Sequence, residues 1–207
     1  MDNKKYWENR SVDLILETER SVLEFEKKMI QAYEVALIEI RKELDAFFGK
    51  YAKDNKESYI YARKRLSTID VKSFQSQLRE WYKLAQELGM AKEYQNYLKL
   101  LSSRVYISRL EHLEASIRFE IEKLSANKHN DLTKLVEINY LHSYYSNYYN
   151  LSSGIKAGVK FEAVNKIGLE NAIKTKWEQG NYSSRVWNDR AKLVRTMEKL
   201  IPQSFSR

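Results

Sequence analysis

An apolar stripe runs through the first quarter of this chain without a break. Between residues 5 and 53, Val22, Phe25, Met29, Tyr33, Ala36, Ile40, Leu44, Phe47 and Tyr51 recur at steps of three and four. Such steps fall on one face of an α-helix, and the charges of "EFEKK" and "IRKELD" take the other side. The spacing predicts a single helix over 5–53, roughly 70 Å long at about 1.5 Å per residue. That is far above the usual helix length. A helix of this length needs a partner helix along much of it, so the expectation is an elongated bundle or coiled coil.

Punctuation residues are scarce. The 207 residues include one proline, Pro202, and six glycines. Sheet-rich folds need many Gly and Pro turns, so the fold class expected is all-α. The absence of cysteine excludes disulfides and thiolate metal sites. The start, "MDNKKYWENR", has no apolar core and does not read as a secretory signal. No stretch approaches the 18 or so apolar residues of a membrane span. The net charge is +8, and residues 151–207 carry +6 of it. A basic end of this kind suits either phosphate backbone or a solvated face.

After a polar break and a short basic helix around 58–66, "DVKSFQSQLREWYKLAQELGM" predicts a helix. Asp70 is its expected N-cap and Gly89 its left-handed stop. Phe74, Leu78, Trp81, Leu84 and Leu88 form its expected buried face. A second very long helix is predicted over 91–124, antiparallel to the first. Its stripe is Leu98, Leu101, Val105, Leu110, Leu113, Ile117, Ile121 and Leu124. "SANKHND" is expected to break it, with Asp131 capping the next helix. The organisation expected is therefore a long-helix bundle over 1–130. A Tyr-rich helix, a connection and a basic C-terminal helix would fill 131–207.

Tyr140, Tyr144 and Tyr148 fall on one line of the helix after Asp131, with Tyr145 and Tyr149 beside it. A base-stacking platform is one reading. A bundle seam with hydroxyls at its rim is the better one, because no basic residue lies between Lys134 and Lys156. His112, His129 and His142 form no Glu-x-x-His or His-Glu-x-x-His pattern. Gly154 and Gly158 make only an isolated G-x-x-x-G. No phosphate loop or nucleophile elbow occurs. No catalytic residue, metal ligand or cofactor is expected, and the chain does not read as an enzyme.

"NYSSRVWNDR", residues 181–190, reads as a helix start. Ser183 is the expected N-cap, with Tyr182 and Trp187 as a hydrophobic staple across it. The helix would bury Val186, Trp187, Leu193, Val194, Met197 and Leu200 or Ile201, and would end at Pro202. A catalytic Ser183 would need a base beside it, and no histidine lies within forty residues in sequence.

The same segment carries a family resemblance. Tyr6, Trp7, Glu8 and Arg10 come first, then a long charged helix ending in "FFGKYA". "RVYISRLEHLEASIRFEIEKL" and "SYYSNYYN" follow. Last comes a run holding Trp177, Asn181, Tyr182, Ser183, Arg185 and Trp187. In this order the motifs resemble the minor head (head morphogenesis) proteins of tailed bacteriophages and prophages, over nearly all 207 residues. Val186 and Tyr182 stand where that family usually has isoleucine and phenylalanine. The resemblance implies a structural, non-enzymatic, low-copy head component bound to the portal or capsid. It would be located in the virion, and in the host cytoplasm during assembly. DNA is a further expected contact through Lys156, Lys160, Lys174, Lys176, Arg185, Arg190, Lys192 and Arg195. Family members usually continue past "IPQSFSR", some into a toxin or ADP-ribosyltransferase domain. Two other readings compete: a general helical nucleic-acid-binding protein, and the helical part of a phage-encoded effector.

Overall fold

The structure, a computed structural model, describes residues 3–54, 68–70, 74–104, 106–155, 163–175 and 181–204. The fold is all-α with one small addition. Among the described residues there are six helices: α1 (Asn3–Asp54), α2 (Gln75–Glu87), α3 (Lys92–Ser102), α4 (Arg109–Ile155), α5 (Lys166–Lys174) and α6 (Tyr182–Ser204). The strands β1 (Thr68–Asp70) and β2 (Tyr106–Ser108) pair antiparallel, with Ile69 opposite Ile107.

The long first helix is present as expected, and α4 is its antiparallel partner. The boundaries of the second long helix differ from the expectation. Its periodic stripe is cut after Ser102, and Tyr106–Ser108 pair with Thr68–Asp70, while Val105 of the stripe lies outside the described residues. Branched and aromatic side chains fit a pleated pairing, and the partner strand overrides the helical period. The pairing also places Asp70 in β1 opposite Tyr106, so it cannot cap α2. Phe74 precedes α2 with no side-chain cap bond. Gly89 does stop α2, with φ of +65° and Met90 N donating to Ala85 O at 2.9 Å. The expected short helix at 58–66 lies outside the described residues.

The expected break at "SANKHND" does not occur, because α4 runs straight through it. Asn, Asp, His and Ser each cost a helix interior only some tenths of a kcal/mol, and no Gly or Pro stands here. Ser125 instead returns its hydroxyl to Ile121 O at 2.8 Å. Asp131 receives Lys28 Nζ at 2.8 Å and is not a cap.

The contacts divide into two compact units, each discontinuous in sequence. Unit 1 holds residues 1–30 and 129–185. Within it α1 and α4 run antiparallel, through Lys28–Asp131, Ser21 Oγ–Asn139 Oδ1 at 2.9 Å and Glu17–His142 at 3.1 Å. The Trp7 indole lies 3.0 Å from where a Cβ would stand on Gly154, so this glycine lets the aromatic lie against the helix backbone. Across α4, the Tyr140 hydroxyl sits 2.9 Å from the corresponding point on Gly168 of α5. Tyr140, Tyr144 and Tyr148 are half-buried, and Tyr145 and Tyr149 are exposed. That is the arrangement of a seam with a rim, and Arg10 lies 5.2 Å over the Tyr149 ring. The helix α5 arises where the sequence had suggested only a connection. Asn165 caps it, accepting from Ile167 N at 2.9 Å.

Unit 2 holds residues 31–128 and 186–207. One core joins α2, α3, β2 and α4 through Phe74, Leu78, Trp81, Tyr94, Leu98 and Ile107. Trp81 stacks on Phe119 at 4.9 Å. A second core joins α1, α4 and α6 through Leu113, Ile117, Ile121, Val194, Met197 and Ile201, with Ile40 and Leu44 beside them. The first-helix stripe is therefore correct at Met29, Ala36, Ile40 and Leu44. Val22 and Tyr33 are exposed.

Candidate functional site

Helix α6 opens two residues earlier than the sequence suggested. Asn181, not Ser183, is the capping side chain. Its Oδ1 accepts from Ser184 N and from Ser184 Oγ, both at 2.8 Å. The expected staple is accordingly absent as drawn, since Tyr182 lies inside the helix. Thr133 Oγ1 gives its proton to His129 O at 2.8 Å, so the Tyr182 hydroxyl donates to Thr133 Oγ1 at 2.8 Å. Trp187 packs beside the core around Trp81 and Phe119. The helix continues to Ser204, beyond Pro202. A proline in the last turn forfeits little, because most of the helix lies before it. Leu193 and Leu200 are exposed, and Ile201 takes the buried position.

Folding places a histidine where sequence distance had argued against one. His129 Nε2 lies 2.9 Å from Ser183 Oγ, with the Tyr182 ring 5.8 Å from the imidazole. Fifty-four positions separate the two residues, and the long α4 brings them together. A nucleophile needs its base held by a third group and an oxyanion pocket beside it. Here the serine sits in the first turn of a helix and is half-buried. With the Tyr182–Thr133 bond it fastens the start of α6 to α4.

The next turns of α6 are fixed in unit 2 by an ion pair. Glu122 is fully buried. Arg190 Nε lies 3.0 and 2.9 Å from its two oxygens, and Arg190 Nη2 lies 2.9 Å from Oε1. A planar guanidinium fork matches a carboxylate in this way. Arg118 stands 3.8 Å from the same carboxylate and 3.6 Å from Glu198. Its guanidinium lies 4.5 Å over Tyr97 and 5.8 Å from the Tyr94 ring centroid. Burial pushes the Tyr94 phenol far above its usual range, and Glu122 adds to it. Among the described residues its hydroxyl has no hydrogen-bond partner. Burial also raises the Glu114 carboxyl, helped by Glu111 and Glu198. The cluster's arrangement joins α3, α4 and α6.

That clamp decides which cations face outward. Arg190 leaves the expected DNA set, because its guanidinium is committed to Glu122. Arg185, Lys192 and Arg195 are exposed. Lys192 and Lys199 are seven residues apart and fall on one line of α6, with Arg195 beside it. Lys199 was missed by sequence reasoning, although its seven-residue step from Lys192 was readable. Asp189 lies 4.0 Å from Lys192. Lys174 sits on α5 and pairs with Glu170 at 3.1 Å. Lys156, Lys160, Lys176 and Trp177 lie outside the described residues.

Among the described residues, no group of three or more His, Asp or Glu side chains could hold a metal ion. None of the described helices is long and apolar enough to cross a membrane. No family model, curated protein or solved structure matches the chain.

Proposed function

We propose that this chain is a structural, non-enzymatic minor head protein of a tailed bacteriophage. It associates with the portal or the capsid, and the outward face of α6 contacts DNA. The ordered motifs from Tyr6 to Trp187 support the family reading. The geometry supports a protein that works through helix faces. Its buried charges are consumed in packing, and its exposed cations are lined up. The observation that carries the DNA contact is the exposed set Lys192, Arg195 and Lys199 on α6, with Arg190 turned inward onto Glu122.

A phosphate-backbone contact releases counterions, so affinity for duplex DNA of any sequence should fall steeply as salt rises. The triple substitution Lys192→Glu, Arg195→Glu and Lys199→Glu should weaken binding and flatten the salt slope. An unchanged slope would sink the DNA contact. A second reading, a helical nucleic-acid-binding protein unconnected with capsids, draws on the same set. Co-purification with a portal or capsid protein separates the two: the head-protein reading requires one of them.

A further inference from the structure

The outer side of α1 carries a second stripe that its packing on α4 does not use. Val12, Ile15, Leu16, Val22, Leu23 and Ile30 are all exposed, from 38% to 59%. Leu16, Leu23 and Ile30 are seven residues apart, and Val12, Glu19 and Glu26 form the alternate line of the same seam. A contiguous apolar strip of several hundred Å² marks an interaction surface more than scattered exposure does. Unit 1 also needs such a cover. Among its described residues Met29 alone is buried.

The seam is also selective. Glu19 and Glu26 stand within it, and neither is paired with a cation among the described residues. Arg20 and Lys27 run along one edge. We infer that this face docks a partner helix with Lys or Arg across from Glu19 and Glu26 and carboxylates beside Arg20 and Lys27. A second copy of α1 does not fit. Parallel pairing would set Glu19 on Glu19 and Glu26 on Glu26. Antiparallel pairing would set each carboxylate against a leucine or isoleucine with no cation in the layer. The inference is independent of the head-protein reading, since it rests on this one face.

The test uses the full chain and two stapled helical peptides with identical leucine seams. One has lysines at the two positions facing Glu19 and Glu26, and glutamates along the flank. The other has these charges reversed. Fluorescence anisotropy should show the lysine-seam peptide binding about tenfold or more tightly, with the preference shrinking at high salt. Glu19→Lys with Glu26→Lys should invert the preference. Should that pair of changes lower the helical circular dichroism, Glu19→Gln with Glu26→Gln should abolish it instead. Equal binding of both peptides, or of neither, overturns the inference. So does sedimentation of the wild-type chain as a dimer that Leu23→Glu converts to monomer, because a second copy would then cover the seam. No phage component enters the assay, so its failure leaves the portal co-purification test unaffected.

Discussion

Glu122 and Arg190 show how one residue's partner changes its meaning. Arg190 reads in the sequence as one more cation of a basic tail. In the fold its fork closes on a fully buried carboxylate. Removing one member of such a pair leaves an uncompensated charge in a low-dielectric site. Arg190→Ala should cost about 3–5 kcal/mol in urea unfolding, toward the lower end because Arg118 stands 3.8 Å from Glu122. Replacing both residues with apolar ones of similar volume should cost clearly less. Glu114 yields a pH dependence. Its carboxyl is raised by burial, then by Glu111 and Glu198. In the folded state it therefore holds its proton at pH values where the unfolded chain has released it. Folded molecules bind more protons in that window, so stability falls as pH rises out of the ordinary carboxylate range. Thermal melts of Glu114→Gln should lack this component of the decline. Both effects needed tertiary contacts to be seen, since Glu111, Glu114, Glu122 and Glu198 look alike in sequence.

At the scale of elements, long and strongly periodic segments were legible, and short interruptions were not. The first helix and the Gly89 stop follow from spacing and from one residue's conformational freedom. The strand at 106–108 does not, because nothing local marks it off from the helical stripe and Tyr106–Ser108 pair only where Thr68–Asp70 offer a partner. "SANKHND" shows the converse. Its residues are mediocre helix formers, but packing against α1 carries the helix through them. This yields a sharp test. In a loop, Asn127→Pro would be tolerated. Inside continuous α4 it removes a helix bond and collides with the preceding turn. It should cost about 3 kcal/mol or more, measured by chemical denaturation. The start of α6 shows the same limit. Asn181 and Ser183 are both good caps, and the choice fell to Asn181 because Ser183 Oγ is engaged with His129.

For the whole molecule, the described side chains are buried unevenly. Unit 2 holds both apolar cores, and unit 1 holds a single buried side chain, Met29. Local opening is easiest where few apolar contacts must be broken. Amide hydrogen exchange should therefore be faster in 5–28 and 131–153 than in 113–126. A ligand helix on the outer face of α1 should slow exchange in the first of these segments. The sequence by itself determined the all-α class, the long first helix and the basic bias of the last quarter. Those depend on periodicity, on scarce Gly and Pro, and on charge counts, all of which are local properties. Only the tertiary structure decided that α4 continues through 125–131, that 106–108 form a strand, that His129 meets Ser183 and that Arg190 turns inward. Each of these depends on a partner dozens of positions away. The free energy of pairing with it outweighs the few tenths of a kcal/mol per residue that local preference contributes.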